Sequence, residues 1–330
     1  MWKMCSWPRV SPALLSARRR GGVGHVRRLP IRIETVTELD GGAPIALAAT
    51  VFAADVPVTE RPVVLFCFPG GGMSRRYFDL DGFSFAGSMT GAGFLVIAFD
   101  HAGIGDSGKP RDAFALSARR LAASEAQAVG EVAARLRTGD LHDDIAAIPD
   151  FSMIGLGHSM GGMLVTMQQA AFRPYAALAL LGFSTRGLPE VLTPAEQEEA
   201  KRAIRDDDYY VRLAVQRFGG AALADIPARR EGSAALKAAS APLLTVAAMQ
   251  SMLPGNVAEE AASIDVPIFL AVGDKDITGR PEAIAPRFSA APDTQLLVME
   301  NAGHHPFIAP SAEALYTALG AWAASLGARP

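Results

Sequence analysis

The chain is poor in cysteine, in long apolar runs and, over its first thirty residues, in acid. Its 330 residues include two cysteines: Cys5 in the N-terminal tail and Cys67 inside an apolar run. A disulfide framework is therefore not expected. Neither cysteine has a Cys or His neighbour at metal-ligand spacing, so no zinc site is expected, and no motif calls for a cofactor. The best apolar run, 176–183, has the length of a strand, whereas a membrane helix needs about 18 to 20 such residues. Residues 1–30 hold seven Lys or Arg and no Asp or Glu; setting them aside moves the formal net charge from −3 to −10. An acidic body disfavours nucleic acid as a partner and leaves a small molecule. The tail is basic and serine-dotted but lacks the continuous apolar centre of a secretory signal. It reads as a disordered extension ahead of a fold that starts near Ile31, with organelle targeting as the alternative and the cytoplasm as the expected location. Nothing in the sequence decides for or against a homodimer.

What is present is a chain half apolar and one fifth charged, ordinary for a soluble globular protein. Residues 31–38 alternate apolar and polar, 45–53 form a second strand-like run, and Asp40-Gly41-Gly42 between them reads as a hairpin turn. Runs 63–68 and 94–99 are continuous and apolar, as strands covered on both faces should be, and 176–181, 267–272 and 295–299 read as further strands. Helices are expected over 80–90, 115–137, 160–172 and 311–326, with Glu125 interrupting the apolar stripe of the second. This alternation predicts an α/β fold with a mainly parallel sheet and an antiparallel edge. Residues 185–264 break the rhythm. They read as helices over 194–204, 207–218 and 234–252, forming a cap between two parts of the core, 31–184 and 265–330. Leu243, Leu244, Met249, Met252 and Leu253 either line a pocket beneath that cap or simply pack its helices.

The stretch 151–163 passes through Gly157-His158-Ser159-Met160-Gly161, which fits G-x-S-x-G. A strand that turns at once into a helix needs an unfavourable backbone angle at its centre and small neighbours two places either side. Such a turn presents the Ser159 hydroxyl with a helix N-terminus behind it, so Ser159 is the candidate nucleophile. Gly155, Gly157 and Gly161 also resemble a loose dinucleotide fingerprint. No acid follows the next strand before Glu190, so that reading lacks its ribose partner.

A serine hydroxyl needs a base, and the base needs a third group to set its tautomer. His25 lies in the tail, His142 in a charged loop, His101 in a turn, and His158 within the nucleophile turn, facing away from the hydroxyl. His304 and His305 remain, and His304 is preferred as base because Gly303 places it in a turn after the last strand. Asp276 is preferred as the orienting acid over Asp274. Donors for an oxyanion are expected from the Met160 N–H and from the loop after 63–68, Gly71 first and Gly72 second, since Pro69 has no N–H. Gly72, Met73, His158, Met249 and Met252 complete the candidate substrate pocket. Arg75, Arg76 and Tyr77 stand where a substrate carboxylate could be met.

Together these residues resemble the α/β-hydrolase family over about 31–326. Pro69-Gly70-Gly71-Gly72 is similar to that family's His-Gly oxyanion loop, with proline in the histidine position. Asp100-His101-Ala102-Gly103-Ile104-Gly105-Asp106-Ser107 is similar to its D-x-x-G-x-G-x-S turn. The resemblance implies a serine hydrolase acting on an ester-type bond of a small apolar acyl substrate. The same triad would also serve C–C hydrolysis, thioester cleavage, lactone opening, acyl transfer or perhydrolysis. A non-catalytic, ligand-binding relative is the alternative of another class.

Overall fold

The run 63–68 contains no polar residue because both of its faces are covered. Successive strand residues point to opposite sides. Val64, Phe66 and Phe68 enter one core, and Val63, Leu65 and Cys67 enter the other. The computed structural model describes residues 26–35, 44–54, 61–111, 116–202, 233–241, 245–255 and 257–327. In chain order the elements are β1 (Val26–Thr35), β2 (Ile45–Ala54), β3 (Val63–Phe68), α1 (Phe85–Gly91), β4 (Leu95–Phe99), α2 (Ala118–Thr138), β5 (Ser152–His158) and α3 (Met160–Phe172). There follow β6 (Ala177–Leu181), α4 (Pro194–Arg202), α5 (Ser233–Ala239), α6 (Val246–Ser251), α7 (Ala258–Ser263), β7 (Ile268–Gly273), β8 (Thr294–Met299) and α8 (Ala312–Gly327).

The strands make one eight-stranded sheet in the order β1-β2-β4-β3-β5-β6-β7-β8. From β4 to β8 every pairing is parallel, whereas β1–β2 and β2–β4 are antiparallel. Helices α2 and α3 cover one face, and α1 and α8 the other. Connections between parallel strands leave from their carboxyl ends, which gathers the loops after β3, β5, β7 and β8 on one edge. No helix among the described residues is long and apolar enough to cross a membrane.

Several boundaries differ from the sequence reading. The fold begins before Ile31: β1 starts at Val26, and two arginines assigned to the tail belong to it. Arg28 forms a paired contact with Asp79 (2.7 and 3.1 Å), and Arg27 donates to the Asp144 carbonyl. These partners lie 51 and 117 residues away, beyond the reach of a local pattern. The helix expected over 80–90 starts later, as α1 over Phe85–Gly91, because Ser84 caps it by accepting from the Gly87 N–H at 2.8 Å; a 3-10 turn (Arg75–Asp79) precedes it. The helix expected over 234–252 is two helices, α5 and α6, and Pro242 lies between them in sequence. The turn at Asp40-Gly41-Gly42, the helix over 207–218, and Leu243 and Leu244 lie outside the described residues, as do residues 1–25. The insertion between β6 and β7 contains α4 to α7.

Candidate active site

Ser159 closes β5 and caps α3 with φ 52° and ψ −117°, a backbone conformation that side-chain-bearing residues rarely adopt. The two flanking glycines make the angle attainable. A Cβ on Gly157 would stand 2.3 Å from the Gly161 carbonyl oxygen, and one on Gly161 would stand 2.1 Å from the Phe68 carbonyl oxygen. Both obstacles are backbone atoms, so neither can swing aside. The Ser159 N–H donates to the Leu181 carbonyl at 2.9 Å, tying the turn to β6.

His304 comes from the loop after β8 and reaches this serine. Its Nε2 lies 2.9 Å from Ser159 Oγ, and its Nδ1 lies 2.8 Å from Asp276 Oδ1. A carboxylate only accepts, so Nδ1 carries the proton and Nε2 is left to accept from the serine hydroxyl. Asp276, in the loop after β7, also accepts from the Thr278 N–H at 3.1 Å. Its Oδ2 is buried without a hydrogen-bond partner among the described residues. Burial pushes this carboxyl's pKa up. The hydrogen bond from His304, the charge that ring carries when protonated, and the Thr278 N–H outweigh that and hold it below the usual carboxylate range.

A depressed pKa gives a stability contribution that is present above the unfolded value near 3.9. It is lost as pH falls through the lower folded value. The stability difference between wild type and Asp276→Asn is therefore expected to shrink between pH 5 and pH 3.5, measured by urea unfolding at both. A constant or widening difference would contradict this assignment of charge.

The competing candidates are otherwise engaged. Asp274 accepts from the Ala302 N–H at 3.1 Å and joins the β7 loop to the loop that carries His304. His305 packs its ring 5.7 Å from that of His304, and burial, with the His304 charge, lowers its pKa to about 4. His158 was expected to line a pocket. It is instead buried beneath the site, its Nε2 2.7 Å from the His304 carbonyl and its ring stacked 4.7 Å from Tyr77. It supports the His304 loop.

Gly71, Gly72 and Met73 follow β3 and are half-buried. This loop is stitched to the insertion: the Ala241 N–H donates to Gly72 O at 2.7 Å and the Ser74 N–H to Ala239 O at 2.8 Å. Its start lies against the nucleophile, since a Cβ on Gly70 would be 3.4 Å from Ser159 Cβ. Met160 is buried at the head of α3 and touches Thr245, which caps α6, through Sδ at 3.6 Å. Met249 is buried on α6 and Met252 is half-buried just after it.

Arg75 is not available to a substrate carboxylate. It pairs through Nη1 with Asp100 and through Nη2 with Asp106, and its N–H donates to Asp100 Oδ1 at 2.6 Å. The Asp100 side chain is fully buried and also accepts from the Asp106 N–H, so the D-x-x-G-x-G-x-S turn is a structural clasp. Removing one partner of a buried ion pair costs about 3–5 kcal/mol. Arg75→Ala is expected to lower stability by at least the lower end of that range in urea unfolding; a loss under 1 kcal/mol would show the pair to be unimportant. Tyr77, the third member of that group, is fully buried.

Sequence reasoning passed over His101 and Glu125. Both are fully buried, and His101 Nδ1 lies 2.5 Å from Glu125 Oε1. The available signal was a glutamate on the apolar stripe of α2, where a charge must find a partner. A 510 Å³ cavity lined by Met167, Phe172, Glu260 and Ser263 lies toward the far end of α3. Twelve to thirteen residues of helix place Phe172 about 18 Å from the serine, too far to serve it.

Residues 64–315 match the model of a family described as the alpha/beta hydrolase family. No significant match exists among curated protein sequences. Among solved structures, a thermophilic esterase from Thermogutta terrifontis is similar with a TM-score of 0.60 at 18% identity, over 90% of this chain and 99% of that one. A bromoperoxidase from Bacillus anthracis gives 0.57 at 17% identity, over 87% and 98%. A thioesterase domain from the curacin biosynthetic pathway gives 0.53 at 18% identity, over 91% and 100%. These likenesses carry the fold alone. The family model covers well over half of the sequence, and with it nearly all of β3 to β8 and all three loops that meet at Ser159: the chain belongs to the α/β-hydrolase family.

Proposed function

We propose that Ser159, His304 and Asp276 are the catalytic triad of a serine hydrolase that cleaves an ester-type bond of a small, apolar acyl substrate. The observation that carries this reading is the chain of contacts at 2.9 and 2.8 Å from the Ser159 hydroxyl to the Asp276 carboxylate, through an imidazole free to take a proton.

His304 Nε2 removes the hydroxyl proton as Ser159 Oγ bonds to the acyl carbon. The negative charge formed on the carbonyl oxygen is met by the N–H of Met160, at the start of α3, and by that of Gly71 in the loop beside it. His304 then returns its proton to the leaving oxygen as the C–O bond breaks, giving an acyl-serine. Water, deprotonated by the same nitrogen, attacks that ester, and Ser159 leaves with its proton restored. Asp276 stays ionised throughout and stabilises the imidazolium that forms twice in the cycle. Met160, with Met249 and Met252 on and after α6, supplies the apolar environment for the acyl group. The contact between Thr245 and Met160, at 3.6 Å, holds the start of α6 against the head of α3.

A fluorophosphonate probe tests the reading directly. Labelling of the folded protein that disappears in Ser159→Ala is expected, whereas an unlabelled wild type would indicate a binding protein that has kept the triad without its chemistry. Profiling across esters of graded acyl length, thioesters and lactones then assigns the bond. Turnover is expected to be highest on short acyl esters.

A further inference from the structure

His101 Nε2 lies 2.9 Å from the carbonyl oxygen of Pro69, the first residue of the loop after β3. Behind the imidazole stands a closed polar line. Glu125 Oε1 is 2.5 Å from His101 Nδ1, Gln168 Nε2 donates to Glu125 Oε2 at 2.8 Å, and the Tyr175 hydroxyl donates to Gln168 Oε1. His101, Glu125 and Gln168 are fully buried and Tyr175 nearly so. A carbonyl and a carboxylate both only accept, so one proton is shared between His101 and Glu125 while the other imidazole nitrogen directs its N–H at Pro69. Burial would lower the His101 pKa, but Glu125 and the Pro69 carbonyl raise it above the usual histidine value.

Such a line is expensive to bury, and packed apolar residues would serve stability as well or better. Its end point explains its presence. Pro69 has no N–H, so its carbonyl is the only backbone group by which the residue can be anchored. Gly70, Gly71 and Gly72 follow, the least constrained backbone available. The far end of the loop is stitched to residues 239–241, and the near end is held by His101.

We infer that His101, held by Glu125, is a positioning residue that orients the Pro69–Gly71 backbone so that the Gly71 N–H faces the oxyanion. This rests on the serine-hydrolase reading above. Both residues act through the loop and neither touches the substrate.

The test compares wild type, His101→Gln and the double variant His101→Leu/Glu125→Gln on p-nitrophenyl butyrate. Active sites are counted by fluorophosphonate titration, and inhibition is measured with an alkyl trifluoromethyl ketone, which Ser159 converts to a tetrahedral adduct. Misdirecting one donor costs about 10- to 100-fold. The double variant is expected to lose that factor in kcat per titrated site, its Ki for the ketone rising by the same factor while KM stays within about twofold. His101→Gln places an amide N–H where Nε2–H was and is expected to recover to within about threefold of wild type. A pair that merely stabilises the fold would lower Tm and the number of titratable sites, leaving kcat per site and Ki unchanged. That outcome overturns the inference. If the double variant does not fold, Glu125→Gln decides in its place. It keeps the shape of the line, and a folded Glu125→Gln with unaltered kcat and Ki overturns the inference equally. A wild type that is neither labelled nor active removes the serine-hydrolase reading and this inference with it, whereas an active wild type with indifferent variants removes this inference alone.

Discussion

Ser159→Ala and His304→Ala are each expected to reduce kcat on a short p-nitrophenyl ester by about 10⁶-fold, with little change in melting temperature. The size follows from the way such groups work as a unit. Without the hydroxyl there is nothing to acylate, and without the imidazole the hydroxyl keeps its proton, so either loss removes nearly all covalent catalysis. Ser159→Ala should barely move stability, and His304→Ala should lose only the modest contribution of its contact with Asp276. Ser159 holds φ 52° whatever its side chain, so alanine inherits the strain without adding to it. Ser159→Gly, which adopts that angle without penalty, is expected to be more stable than Ser159→Ala. His305→Ala is expected to retain most activity, since its nearest polar partner is the Tyr77 hydroxyl at 3.4 Å. If His305→Ala proves inactive and His304→Ala active, the base has been misassigned. Asp276→Asn should fall between them at about 10⁴-fold, the cost of losing the correct tautomer and the countercharge.

Gly161→Ala is expected to abolish folding or to lower stability by more than about 4 kcal/mol. Its new methyl would stand 2.1 Å from the Phe68 carbonyl oxygen and 2.6 Å from that of Pro69. Both belong to the end of β3 and the start of the loop that His101 anchors, so relief would require displacing a central strand. Losses of this size arise from few mechanisms, and steric overlap with backbone in a closed core is among them. Gly130 in α2 is the control. It is exposed, and a Cβ there would meet no atom within 4 Å. Gly130→Ala is expected to raise stability by about 1 kcal/mol through helix propensity alone. Thermal and urea unfolding of the two variants side by side checks both signs. Similar stability in the two would mean that the turn at Ser159 opens more easily than its geometry allows.

The reading of the loop after β3, expected from the sequence to hold an oxyanion, changes most between sequence and structure. Pro69 looks like a defect when compared with the His-Gly loop it resembles, because proline offers neither a side-chain donor nor an N–H. In three dimensions an imidazole is supplied from elsewhere, by His101 at the end of β4, and it grips the proline's carbonyl. The glutamate that spoils the apolar stripe of α2 is the partner that makes this possible. Each oddity is uninterpretable alone in the sequence, 32 and 24 residues from His101, and each is explained once they meet.

What the sequence by itself determined is whatever depends on local chemistry. Strands covered on both faces carry few polar residues, so 63–68 and 267–272 were legible as apolar runs. A strand that turns into a helix within one residue demands glycines at 157 and 161, so Ser159 was legible from its neighbours. Their place after the last strand marked His304 and His305 as candidate bases, and the order of the motifs along the chain led to the family. Tertiary structure decided everything that depends on which distant groups share a buried space. It drew Arg75 into the Asp100 clasp, set His158 beneath the His304 loop, brought Arg27 and Arg28 into β1, and joined His101 to Pro69. The reason is physical: a buried polar group must be satisfied, and the requirement says nothing about how far along the chain its partner will be found.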